Sequence, residues 1–172
     1  MASDAFLVLT DEHGNVLPGE TQDRYFGAQK FKAVEIASFS FGIHNTTTIR
    51  SGSSGAGSSR AQFTDLTISK VVDSVSVYLL NDAGSGTLLR QMDLYVRRAG
   101  GGQTSPYFLK YSFKPVYVTD IQWSYGGDAN VAESVTFAYG ALQISYTRTN
   151  ADGTSGPVSS GAWDQITETN RF

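Results

Sequence analysis

The chain has 172 residues and no cysteine, long enough to bury a core without staples, so disulfide frameworks, thiolate catalysis and cysteine-based zinc sites are all excluded. Its 13 Lys and Arg against 16 Asp and Glu give a net charge of -3, and the charges are scattered singly, a pattern that argues against nucleic acid as a partner. No stretch approaches the roughly 20 apolar residues of a membrane helix, and the start from Met1 to Leu9 has no basic segment ahead of a long apolar one. We therefore expect no membrane insertion, synthesis in the cytosol, and any export by a dedicated machine.

Taken in chain order, short runs of two-residue alternation separated by Gly, Asn, Asp and Ser predict strands over 5–9, 31–43, 62–70, 88–98, 106–113, 116–123 and 133–147. Within 31–43 the apolar positions change parity at Ala37, from Val34 and Ile36 to Phe39, Phe41 and Ile43. A similar change at Gly140-Ala141, from Val135, Phe137 and Tyr139 to Leu142, Ile144 and Tyr146, predicts a bulge or tight bend, because a one-residue shift moves every side chain to the other face. In 88–96, Leu88, Met92, Leu94 and Val96 are expected inward, leaving a mostly wet face with Gln91, Asp93 and Arg97. One short helix is predicted over about 73–83, capped by Asp73 or Ser74, with Val75, Leu79 and Tyr78 as its stripe and Gly84 or Gly86 as its stop. The expectation is one all-β domain spanning 1–172, a sandwich or barrel with one flanking helix. A Gly/Ser-rich loop over 44–60 exceeds the length at which structureless connections are common.

Catalytic chemistry has few candidates. His13 sits in the turn Asp11-Glu12-His13-Gly14-Asn15 and His44 begins the Gly/Ser loop, so neither has metal-ligand spacing. Asp11 and Glu12 adjoin without a second carboxylate pair, and Gly100-Gly101-Gly102 lacks the helix and lysine of a phosphate loop. The sequon Asn45-Thr46-Thr47 carries little meaning for a cytosolic product. No catalytic residue, cofactor or metal is assigned. A sugar platform from Trp123, Tyr125 and Trp163, as in a carbohydrate-binding sandwich, is the alternative in another class.

The order of segments carries more than any one of them. Val34-Glu35-Ile36-Ala37-Ser38-Phe39-Ser40-Phe41-Gly42, a Gly/Ser loop, then Ala61-Gln62-Phe63-Thr64-Asp65-Leu66-Thr67-Ile68-Ser69-Lys70 resembles the Hcp family of type VI secretion tube proteins. Asp4-Ala5-Phe6-Leu7 fits the family's opening strand, Leu94-Tyr95-Val96-Arg97-Arg98-Ala99-Gly100-Gly101 its strand ending in basic residues, and Glu133-Ser134-Val135-Thr136-Phe137 its late strand pair. Three places depart from the family: a longer segment from Asp11 to Lys30, Phe41 where Trp is frequent, and Val75-Ser76-Val77 where the family has Ser-Pro. The resemblance implies an antiparallel β-barrel of two sheets with one flanking helix and an extended loop. It implies a hexameric ring stacking into a hollow tube, a contractile sheath, a spike at the tip, effectors in the lumen, and final export to the extracellular space or a target cell. A related contractile injection or phage-tail-like device is the near alternative. The long loop is the expected stacking element, through Ile43, His44, Asn45, Thr46, Thr47, Thr48, Ile49, Arg50 and Arg60.

Overall fold

The run Phe6-Leu7-Val8-Leu9 is apolar on both faces, which a strand tolerates only when both faces are covered. In the computed structural model, which describes residues 3–27, 32–48, 57–58, 60–98, 107–127 and 130–172, all four are buried. Phe31, Ile49, Arg50, the tract 51–56, the turn 100–102 and Pro106 lie outside the described residues. The run belongs to strand β1 (Ser3–Asp11), which pairs antiparallel with β2 (Val34–Ile36) on one side and β9 (Leu89–Arg98) on the other. The ladder continues through β10 (Leu109–Ser124), β11 (Ala132–Thr149), β8 (Leu66–Val71) and β3 (Ser38–Ser40). Strands β2 and β3 are the two ends of the sheet and also neighbours in sequence, so the sheet curls nearly shut at Ala37, whose N–H donates to the Ser69 carbonyl at 2.8 Å. The parity slip read at Ala37 is therefore the seam of the barrel.

Leu7, Leu9, Met92, Leu94, Phe113, Val116, Val135 and Phe137 fill the interior. The segment 88–96 enters it differently from the expectation. A register shift between Thr10 and Asp11 brings Leu89, rather than Leu88, into the core at 1% exposure. The outer face of β9 is only partly wet, because residues 16–27 and 32–33 fold over it and form a second cluster. Phe26 stacks on Phe6 at 4.3 Å, Tyr95 is buried beside it, and Arg97 lies over the Phe6 ring while pairing with Asp23 at 2.7 Å and Asp4 at 3.0 Å. The described part of the segment read as departing from the family, 11–27, thus packs against β1 and β9.

The single described helix, α1 (Ser74–Ser85), starts at Asp73, whose carboxylate accepts from the Val75 and Ser76 N–H groups, and stops at Gly86 in the left-handed region. Val75 and Leu79 point into the core, while Tyr78, expected on the same stripe, is exposed. Beneath the cap lies a buried ionic network. Lys70 Nζ donates to Asp73 Oδ1 at 2.7 Å, Glu133 Oε2 at 2.8 Å and Ser76 Oγ at 2.9 Å, and Trp123 Nε1 donates to Glu133 Oε1 at 2.8 Å. Lys70 and Glu133 are 3% and 1% exposed, and at such burial each needs the partner and hydrogen bonds that the other provides.

Candidate functional site

The candidate surface lies where β10 and β11 leave the barrel. Phe113 pairs with Leu142 and Val116 with Tyr139, and on both strands the inward residues change from one parity to the other across Pro115 and Gly140. The change expected at Gly140 is a bend shared by both strands rather than a bulge, since the pairing on either side of this rung keeps one register; the recorded shift in this pair falls between Val118 and Asp120. Glycine is needed there because a Cβ would lie 2.9 Å from Pro115 Cδ and 2.8 Å from Ile166 Cδ1. The two stretches expected as separate strands, 106–113 and 116–123, are one strand, Leu109–Ser124, because the bend keeps the pairing unbroken.

Beyond the bend, β11 loses β8 as a neighbour and gains β12 (Ser155–Asp164), with Trp163 opposite Leu142 and Gly161 opposite Ile144. Sequence reasoning missed β12: its Gly, Pro and Ser content reads as a turn, and only the register of β11 makes it a strand. Ile144, Tyr146 and Trp163 share one face of this extension and are all exposed, an apolar surface with no interior behind it to fill, while Val158, opposite Thr147, is exposed on the other face.

The long loop borders this surface, and its described parts are paired. β4 (Ile43–His44) pairs with β7 (Gln62–Phe63), and farther out β5 (Thr47–Thr48) pairs with β6 (Gly57–Ser58). Isolated two-stranded ribbons are marginal alone. This one is anchored at its root: the Phe41 ring meets Tyr111 at 5.0 Å and Phe113 at 5.3 Å, and Tyr139 Oη donates to the Thr64 carbonyl at 3.1 Å. Burial, then the nearby Asp65 charge, pushes the Tyr139 hydroxyl up to about 12, so it keeps its proton and serves as a donor. Arg60 fastens the other side of the root, donating from Nη2 to the Gln165 carbonyl at 2.6 Å and pairing with Glu168 at 2.5 Å. Ile43, Arg60, Phe63, Trp163 and Glu168 then enclose a cleft of about 640 Å³.

Of the residues assigned to stacking, Ile43, His44, Asn45 and Thr46 are exposed, and Thr47 and Thr48 form the outer ribbon. Among the described residues no group of three His, Asp or Glu side chains could hold a metal ion. His13 lies against Glu12 at 3.4 Å on the surface, apart from His44. The aromatic platform does not form: Trp123 pairs with Glu133 and Trp163 with Leu142, which at ~3.3 Å per residue places them roughly 30 Å apart along β11.

A barrel closed at a seam, one capped helix and a paired arm on an extended hairpin find their match among known proteins. The sequence profile of the family described as type VI secretion system effector, Hcp, matches residues 6–146. The chain belongs to the Hcp family. This is a family of structural tube proteins of type VI secretion, not of enzymes, and Hcp is a secreted protein of that system. Protein hcp1 of Pseudomonas aeruginosa is 31% identical over 100 residues, which cover 56% of this chain and 61% of that relative, so the match spans less than two thirds of its length. A solved structure of a type six secretion system protein superposes with a TM-score of 0.84 at 26% identity, over 99% of this chain and 100% of the other. Hcp1 from Salmonella typhimurium superposes with a TM-score of 0.75 at 22% identity, again over 99% and 100%, a likeness of fold.

Proposed function

We propose that the whole chain works as one unit, a tube subunit of a type VI secretion apparatus, with six copies closing into a ring and rings stacking into a hollow tube. It assembles in the cytoplasm inside a contractile sheath, carries a spike protein at the tip and effector proteins in the lumen, and leaves the cell with its cargo. The observation that carries the reading is the paired arm beside an exposed apolar sheet extension, in a member of a tube-protein family. A ring joins one surface of each subunit to a different surface of the next, and stacking needs a further contact along the axis. The arm supplies it, from Ile43, His44, Asn45, Thr46, Thr47, Thr48, Ile49 and Arg50, with Arg60 holding its root, because exposed strand edges add to a neighbouring sheet.

Deleting 51–59 tests the arm. The variant keeps its circular dichroism and a solution mass of six times 18.5 kDa, while electron microscopy shows rings without tubes. Tubes as long as those of the parent chain would overturn the stacking role, and a parent chain that stays monomeric at micromolar concentration would overturn the ring.

A further inference from the structure

Helix α1 has an outward face as apolar as its inward one. Val77 is 62% exposed and Leu80 52%, one turn apart on the same side, with Tyr78 at 44% beside them. Nothing in the described barrel touches this stripe from outside, and at Gly84, one turn farther on, a Cβ would meet open space. A folded monomer gains nothing from a Val–Leu stripe held in water, whereas an apolar helix stripe is the standard insert of a hydrophobic groove. The only charge on the helix is Asp82, and no described cation pairs with it. Burial, then the charges of Asp11 and Glu12, pushes its carboxyl up, so a partner's cation nearby would relieve it.

The same chain carries a concave counterpart. The cleft at the arm root has Ile43 at 57% exposure and Trp163 at 38%, with Phe63 as its floor, and its rim holds the Arg60 guanidinium, itself two-thirds exposed. The two surfaces sit on different parts of the subunit. The helix begins beside Val72, which donates to the Val131 carbonyl at the hairpin end of β10 and β11, while the cleft borders the other half of β11, at Leu142. Unlike surfaces on separate parts of one chain are what a head-to-tail ring contact requires.

We propose that within the ring the outward stripe of α1, led by Val77 and Leu80, seats in the arm-root cleft of the next copy of this chain, with Asp82 toward the neighbour's Arg60. The proposal rests on the ring reading and names its interface. Apolar burial holds the contact, and the one charge on the helix meets the exposed guanidinium on the cleft rim.

The cysteine-free sequence allows a direct test. The double variant Leu80→Cys with Ile43→Cys, and separately Val77→Cys with Trp163→Cys, is oxidised mildly and run without reductant. At least one pair gives a ladder of covalent species ending at six copies, and single-cysteine controls stop at dimers. A species of hexamer mass that shows no ladder with either pair overturns the docking and leaves the ring standing. A ladder running past six assigns the contact to neighbouring rings and overturns it as an in-ring interface, and a parent chain of monomer mass removes ring and docking together. In parallel, Leu80→Asp, an exposed change, keeps the monomer's thermal transition and raises the concentration for half-assembly at least tenfold; unchanged assembly counts against the proposal.

Discussion

The two halves of β11 are one strand with two different jobs. From Ala132 to Tyr139 it lies between β10 and β8, its inward side chains Glu133, Val135 and Phe137 almost wholly buried and its first charge tied to Lys70 and Trp123. From Ala141 to Thr149 it lies between β10 and β12, and Ile144 and Tyr146, on the parity that had just turned inward, stand about 40% exposed. The first half is satisfied within the monomer. The second leaves apolar area exposed. Apolar sequence therefore does not by itself mean core: the same alternation is buried on one side of Gly140 and exposed on the other.

Three substitutions sharpen the contrast, in order of expected size. Glu133→Ala leaves the Lys70 ammonium buried beside one remaining carboxylate and should cost about 3–5 kcal/mol of stability in urea denaturation; a loss below about 1 kcal/mol would mean that the network is not what holds the helix start to the barrel. Gly140→Val drives a branched side chain against the rigid Pro115 ring, where even a Cβ sits at 2.9 Å, and should cost about 1–3 kcal/mol while disturbing the bend that aims the second half of β11. Ile144→Ser should change monomer stability by no more than about 0.5 kcal/mol, yet shift the ring toward monomers in sedimentation analysis. If Ile144→Ser instead unfolds the chain, the two halves of the strand are not different in kind.

Much of this arrangement is legible in the sequence. Parity changes at Ala37 and Gly140 located the barrel's seam and its bend, and Asp73 with Gly86 bounded the helix to within two residues. The series of family-like segments led to the tube reading that the family match supports. What sequence could not yield depends on partners distant in the chain. Strand β12 is invisible alone because Ser155 to Ala162 has few β-formers and no charge, and only β11 beside it gives those residues a ladder. The buried Lys70 and Glu133 look like ordinary surface residues until the β8–β11 register sets them opposite each other. The arm read as a loop because its ribbon comes in two short paired steps rather than one alternating run.

The base of the arm is closed by two hydrogen bonds, Gly42 N–H to Thr64 Oγ1 at 2.7 Å and Thr64 N–H to the Gly42 carbonyl at 2.9 Å. Everything past that gate is, for the barrel, an insertion hung on a fixed frame. Doubling the length of such an insertion costs only about 0.6 kcal/mol in closure entropy, so its reach can be lengthened or trimmed without renegotiating the fold. In the tube proposed above, the spacing between one ring and the next then becomes an adjustable gauge, set by residues beyond the arm's base.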